Sequence, residues 1–293
     1  MATDQMPASC GTALGWAAHR LGSSAVSHPR KEAVALWAAT NGDPGRVLLT
    51  ADEPLEERHW EAFRSSVERR ASGVPFAYAV GTVGFRYLDL LVDGRVLIPR
   101  PETEALVERV LEWTARHGRT GAVADIGTGS GCIALALATE GAFARVVATD
   151  DSEDALAVAA ANVDRIGPVT PVELRLGPFL EPLRADAFDV VVANPPYVTG
   201  AEYAALDPGV RDFEPRGALV SGEAGMHHIR TLLGGAAARL TAGGLLALEV
   251  DARRADAAFR MAETAGWHAP RIEHDLFGRP RYLLANRAAG PRP

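Results

Sequence analysis

An α/β domain with a mainly parallel sheet and helices on both faces is the architecture expected from residue 122 onward. A small helical unit and a β-hairpin are expected ahead of it. Two features carry this reading. Short apolar, β-branched runs alternate with helical stretches at 122–126, 132–140, 145–149, 154–166, 172–176 and 188–193, the pattern of a sheet covered on both faces. The first run passes into Gly127-Thr128-Gly129-Ser130-Gly131, where glycines let a ligand approach the backbone and a helix start offers unpaired N–H groups.

The 293 residues allow one large α/β domain with a smaller companion. A formal net charge of −7 argues against broad binding to nucleic acid, though not against a local basic patch. Cys10 and Cys132 make neither a disulfide framework nor a metal cluster, so a reducing cytoplasm and no metal are expected. The N-terminus lacks the basic start and apolar run of a signal peptide, and no apolar run is long enough to span a bilayer.

Residues 10–72 read as helices. Leu14, Ala17, Ala18 and Leu21 share one face; Ala33, Leu36 and Trp37 follow Pro29; Leu55, Trp60, Phe63 and Val67 make a third stripe. Residues 41–45, Asn-Gly-Asp-Pro-Gly, break the helices. The tryptophans sit within apolar stripes, which suits core anchors better than a stacking platform. Asp93-Gly94 between two apolar runs predicts the hairpin turn. Pro99-Arg100-Pro101-Glu102-Thr103-Glu104 opens a helix expected at 105–116, with Thr103 or its acidic neighbours at the N-terminus. Arg100, between two prolines on a stiff segment, suits a fixed contact as well as a plain helix start.

Asp150 ends the second strand about twenty residues after the glycines, the place for an acid that accepts both hydroxyls of a ribose. The loop is no P-loop, since no Gly-Lys-Ser/Thr follows, and its spacing differs from Gly-x-Gly-x-x-Gly. Asp125, just before the glycines, would repel a pyrophosphate and suits a cationic ligand. A sulfonium donor bearing a ribose and an ammonium group fits better than a dinucleotide. Phe179, after the strand at 172–176, is placed to cover an adenine or to join the core.

The run at 188–193 ends abruptly in Asn194-Pro195-Pro196-Tyr197. Neither proline can donate to a sheet ladder, so the Asn194 side chain and the Pro195 carbonyl should stand free at a strand's carboxyl end. Two acceptors there can take both hydrogens of a planar NH2 and aim its lone pair at a methyl donor; Tyr197 can lie against the planar group. A simple strand-ending turn is the bland alternative. Residues 198–222 form a long loop expected to border the site. A helix at 226–240, a strand at 245–250, a helix at 253–265 and strands at 269–274 and 280–286 complete the chain.

With these residues in view, the chain resembles the HemK/PrmC family, bacterial glutamine N5-methyltransferases that modify peptide-chain release factors. The motifs are Gly73-Val74-Pro75, residues 97–104, residues 125–131, Asn194-Pro195-Pro196-Tyr197, and Glu214-Pro215 followed by Ala218-Leu219. The resemblance covers about residues 10 to 287. It implies a class I S-adenosylmethionine-dependent methyltransferase, Rossmann-like with a seven-stranded sheet, at 100–293. A helical recognition domain at 1–73 and a hairpin linker at 74–99 would precede it. The implied substrate is the Gly-Gly-Gln glutamine of class I release factors. Donor contacts would be Asp125, Gly127, Thr128, Gly129, Ser130, Gly131, Asp150, Phe179 and Asn194. Catalysis and glutamine binding would fall to Asn194, Pro195, Pro196 and Tyr197, with Arg100 and Glu102 as further substrate contacts. Pro178 and Asp251 depart from the family pattern. N-methylation of another protein glutamine or of adenine N6 in nucleic acid, and a non-catalytic release-factor or ribosome-binding module, are the competing readings.

Overall fold

The computed structural model describes residues 6–24, 26–42, 52, 54–183 and 186–289. From residue 43 the expected break at 41–45 lies outside them. The chain forms two compact units, residues 1–82 with 208–213 and residues 83–207 with 214–293.

In the first unit α1 (Cys10–Gly22), α2 (Pro29–Asn41), α3 (Glu57–Ala71) and α4 (Phe76–Val80) pack together. Ser9 and Thr12 close a capping box at the start of α1, and Pro29 opens α2. Ala13, Ala17, Leu21, Leu36, Phe63 and Val67 are fully buried. Trp37 meets Phe63 edge-on at 4.9 Å, and Trp16 meets Trp60 at 4.8 Å. Trp37 and Trp60 are packed as core, with Trp16 against them.

The hairpin is present, but its turn is not at Asp93-Gly94. Strands β1 (Thr82–Phe85) and β2 (Leu88–Leu91) are joined through Arg86-Tyr87. Arg86 adopts a left-handed φ of 52°. Its guanidinium donates to Glu140 at 2.7 and 2.8 Å, to Glu108 at 2.6 Å and to the Glu104 carbonyl at 3.0 Å. These anchors hold a conformation that arginine seldom takes unaided. Asp93 instead closes a separate turn, accepting from the backbone of Val96 and Arg95, and 95–98 form no strand.

The second unit is built on a seven-stranded sheet, ordered β5-β4-β3-β6-β7-β9-β8. Its strands are β3 (Ala122–Ile126), β4 (Arg145–Asp150), β5 (Val172–Leu176), β6 (Phe188–Ala193), β7 (Leu240–Glu249), β8 (His268–His274) and β9 (Pro280–Asn286). The first five are parallel; β9 runs antiparallel to both β7 and β8. Central strand β6 is buried throughout. Val190 and Val192 enter one core cluster, and Val191 and Ala193 enter the other, as alternate side chains of a strand covered on both faces must.

The main helices are α5 (Pro101–His117), α6 (Cys132–Glu140), α7 (Glu153–Ile166), α8 (Gly200–Ala204), α9 (Pro208–Arg211, which clusters with the first unit), α10 (His227–Gly235) and α11 (Ala255–Thr264). Helix α5 starts four residues earlier than expected because Pro101 fits the first helical position. Thr103 therefore lies inside the first turn and caps nothing. Helix α10 stops short of residue 240, which already belongs to β7, and the expected loop at 198–222 contains α8 and α9. From β3 the chain winds outward through β4 to β5, then returns beside β3 as β6. That reversal opens a crevice at the carboxyl ends of β3 and β6, the usual ligand position in open α/β sheets.

Candidate active site

A cavity of about 360 Å3 opens at this switch point. Its floor is the glycine loop. The N–H groups of Gly127 and Thr128 both donate to the Thr149 carbonyl at 2.9 Å, folding the loop over the end of β4. Gly127 and Gly129 have φ of 71° and 55°, and a Cβ on either would meet no atom within 4 Å. Only glycine adopts this backbone freely, and the empty space at both positions forms a cradle. The Asp150 carboxylate accepts from Gly129 N at 2.9 Å and Ser152 N at 3.0 Å. Each oxygen keeps accepting capacity toward the cavity it lines. Burial raises the pKa of Asp150, and the two backbone N–H groups oppose that shift.

Asp125 lies beneath the loop rather than in the cavity wall. It is wholly buried, and Oδ2 accepts from Thr128 Oγ1 at 2.6 Å and Ala134 N at 3.2 Å. Oδ1 is buried without a partner. Burial pushes the carboxyl up to about 7. Thr128, Ser130 and Gly131 also lie outside the wall. Thr128 and Ser130 are buried, and the Ser130 carbonyl takes the Asn162 amide at 2.9 Å. Gly131 caps α6 with φ 83°. These residues support the loop instead: Thr128 through its hydroxyl on Asp125, Ser130 through its backbone carbonyl, and Gly131 through its left-handed backbone. The cradle and Asp150 in the cavity wall fit a donor with a ribose, and Asp125 holds the loop in shape from beneath.

Asn194 stands at the end of β6 and lines the cavity with Pro195 and Pro196. Its Nδ2 donates to Thr103 Oγ1 at 3.0 Å, and Thr103 Oγ1 donates to Glu249 Oε2 at 2.8 Å. Among the described residues, neither Asn194 Oδ1 nor the Pro195 carbonyl takes a hydrogen bond. Thr103 and Glu249 are buried, and burial raises the Glu249 carboxyl to about 7. Neither stands out in the sequence as a site residue. Thr103 was hidden by its reading as a cap, and the signal for Glu249 was an acid inside an apolar strand.

Tyr197, expected against the acceptor, is half-buried and outside the wall. Val198 explains this: it bridges to Val220, with Val198 N donating to Leu219 O at 2.9 Å and Ser221 N to Val198 O at 2.8 Å. The pairing draws the chain away after Pro196. Arg100 and Glu102 are likewise not in the wall. Arg100 pairs with Glu214, while Glu102 lies 3.8 Å from Arg279 and lends its carbonyl to the Tyr282 hydroxyl at 2.7 Å.

Phe179 lines the far wall at a left-handed φ of 49°, packed 5.2 Å from His228. Such strain in a non-glycine residue gathers at ligand sites. His228 also lines the cavity, with Nδ1 2.8 Å from Ser221 Oγ, and burial lowers its pKa. It supplies a polar group on the wall, from which Pro178 is absent. Asp251 joins buried Arg254 at 3.1 Å, and Arg254 reaches Glu202 at 2.6 Å, tying α8 to the end of β7.

Fold and site together define a class I S-adenosylmethionine-dependent methyltransferase. Residues 102–207 match the methyltransferase small domain, and residues 12–81 match the PrmC N-terminal domain. The chain is 42% identical over 278 residues to the release factor glutamine methyltransferase of Moorella thermoacetica, covering 94% of this chain and 97% of that one. It is 41% identical over 282 residues to the protein of the same name from Deinococcus radiodurans, covering 94% and 98%. The chain belongs to the release factor glutamine methyltransferase family. A methyltransferase structure from Pyrococcus furiosus shares the fold at a TM-score of 0.52 and 21% identity, over 70% of this chain and 91% of that one. No described helix is long and apolar enough to cross a membrane.

Proposed function

We propose that this enzyme methylates the side-chain N5 of the glutamine in the Gly-Gly-Gln loop of class I peptide-chain release factors. The carrying observation is the pair of unengaged acceptors, Asn194 Oδ1 and the Pro195 carbonyl, at the cavity rim beside the glycine cradle. S-adenosylmethionine supplies an electrophilic methyl group on a sulfonium when bound. Gly127 and Gly129 admit the donor to the backbone, Asp150 takes its ribose hydroxyls, and Phe179 covers its base. Asn194 and Pro195 accept the two hydrogens of the glutamine NH2. The amide lone pair is then drawn out of conjugation and aimed along the transfer axis; the N–C bond forms as the sulfonium S–C bond breaks, and one N–H proton leaves to solvent after the transfer. Prolines 195 and 196 keep the rim stiff and exclude water. No side chain is needed as a covalent nucleophile. The helical unit helps grip the release factor, and the reaction belongs in the cytoplasm, where that partner works.

The test is intact and peptide mass spectrometry of a class I release factor incubated with the enzyme and S-adenosylmethionine. The expected result is one added methyl on the Gly-Gly-Gln glutamine, lost with Asn194→Ala. Donor binding without any gain would overturn the substrate and direct the search to other proteins or nucleic acid.

A further inference from the structure

An asparagine amide has one accepting end and one donating end, and a half-turn of the group exchanges them. Only the accepting end can hold the hydrogens of a substrate NH2. Strand β6 fixes where Asn194 stands but not which end faces the cavity. Thr103 and Glu249, from α5 and β7, supply what decides it.

We infer that Thr103 is a positioning residue: its hydroxyl, ordered by the Glu249 carboxylate, turns the Asn194 oxygen toward the methyl acceptor. This rests on the reading of Asn194 as the holder of an NH2 group. The direction follows from counting hydrogens. An ionised carboxylate only accepts, so at 2.8 Å from Glu249 Oε2 the single hydroxyl hydrogen of Thr103 is committed there. Toward Asn194, 3.0 Å away, Thr103 can then only accept. Asn194 must offer Nδ2 to it, and Oδ1 is left facing the cavity. Thr103 is 2% and Glu249 1% exposed, so water is not at hand to replace either bond.

A protonated Glu249 can donate to Thr103 instead. The hydroxyl hydrogen is then released, and the amide loses its preferred sense. The groups that bear on Glu249 are Arg281 and Tyr282 on β9, Arg100 and Glu102 at the start of α5, Tyr197, and Cys132 at the start of α6. Burial outweighs the two arginines and raises Glu249 to about 7. The relay is therefore set above neutral pH and loosened below it.

The test uses the full-length enzyme, a class I release factor and S-adenosylmethionine, with Thr103→Val, Thr103→Ser and Glu249→Gln. Thr103→Val should lower kcat about 100-fold, the scale of a misplaced reacting group, while calorimetric donor affinity stays near wild type. Thr103→Ser keeps the hydroxyl and should restore most of the turnover. Glu249→Gln should remove the acid limb of kcat near pH 7; a limb that persists belongs to another group, such as Asp125, and overturns the role of Glu249. A second readout needs no substrate. The side-chain 15N–H2 signal of Asn194, assigned by its loss in Asn194→Ala, should titrate near pH 7 in wild type and not in Glu249→Gln. Full turnover in Thr103→Val, equal losses in Val and Ser, or a pH-invariant amide signal would each refute the inference. If wild type leaves the release factor unmethylated while the amide titrates as described, the substrate reading fails and the relay stands.

Discussion

Arg100 and Glu214, 114 positions apart in the chain, meet in an ion pair of 2.5 Å. The Glu214 side chain is 1% exposed and that of Arg100 33%. The second oxygen of Glu214 takes the Ile98 N–H at 3.3 Å. The pair fastens the segment before α5 to the loop that brings Pro215, Gly217 and Ala218 to the cavity wall. Arg100 therefore shapes the cavity from behind.

Breaking the pair from the arginine side leaves a buried carboxylate without a counter-charge, held only by the Ile98 N–H. The cost of an uncompensated buried charge is about 3–5 kcal/mol, and the exposure of Arg100 brings the expectation down to about 1–3 kcal/mol. Arg100→Ala should lower stability by that amount in urea unfolding and weaken donor binding through the displaced loop. Glu214→Gln should cost less, since a neutral amide needs no counter-charge. Equal losses in both would mean that packing, not charge, fixes the loop.

Asp150 has two tasks, and its variants should separate them. Its oxygens hold the N–H groups of Gly129 and Ser152 while lining the cavity. Asp150→Asn can keep one of those bonds; Asp150→Ala keeps neither. A hydrogen bond to a charged group contributes about 1.5–3 kcal/mol, so the alanine variant should bind S-adenosylmethionine roughly tenfold to a hundredfold more weakly by calorimetry. Asparagine should fall between. Unchanged donor affinity in the alanine variant would remove Asp150 from the ribose.

Asn194 should behave differently. It sits at the surface of the cavity, and its loss leaves a buried Thr103 hydroxyl still bonded to Glu249. Asn194→Ala should cut kcat by about 10²–10³, as for a removed transition-state contact, with little change in thermal midpoint. Comparable losses of turnover and stability would assign it to the fold.

The sheet and most of the cavity were legible because they rest on local chemistry. Phe188–Ala193 announced a strand buried on both faces by its β-branched run, and Asn194-Pro195-Pro196 ended it by withholding N–H groups. The glycine cradle and Asp150 followed from spacing along a single βαβ turn. What stayed hidden depends on pairings between distant elements. Asp93-Gly94 carried the stronger turn signal, yet Arg86 took the hairpin because three glutamates from two helices hold it there. Thr103 looked like a cap until β6 and β7 set Asn194 and Glu249 beside it. Tyr197 left the wall because Val198 pairs with Val220, a contact no local pattern encodes.

Asp125 gives a stability prediction with a definite sign. Burial disfavours the charge and pushes its folded carboxyl up to about 7, against 3.8 for an ordinary aspartate. The folded state thus holds this proton more tightly than the unfolded state. Its contribution to stability is complete below about pH 4, declines as the pH rises, and is lost above about pH 7. Asp125→Asn keeps an oxygen for Thr128 and Ala134 but cannot ionise. Glu249 titrates with the same sign in both proteins and cancels in their comparison. The unfolding free energy of wild type minus that of Asp125→Asn should therefore fall by on the order of 2 kcal/mol between pH 5 and pH 8. Urea unfolding at the two pH values measures it. A difference that stays flat or grows would show that the buried carboxylate is ionised throughout, held by a partner at its Oδ1.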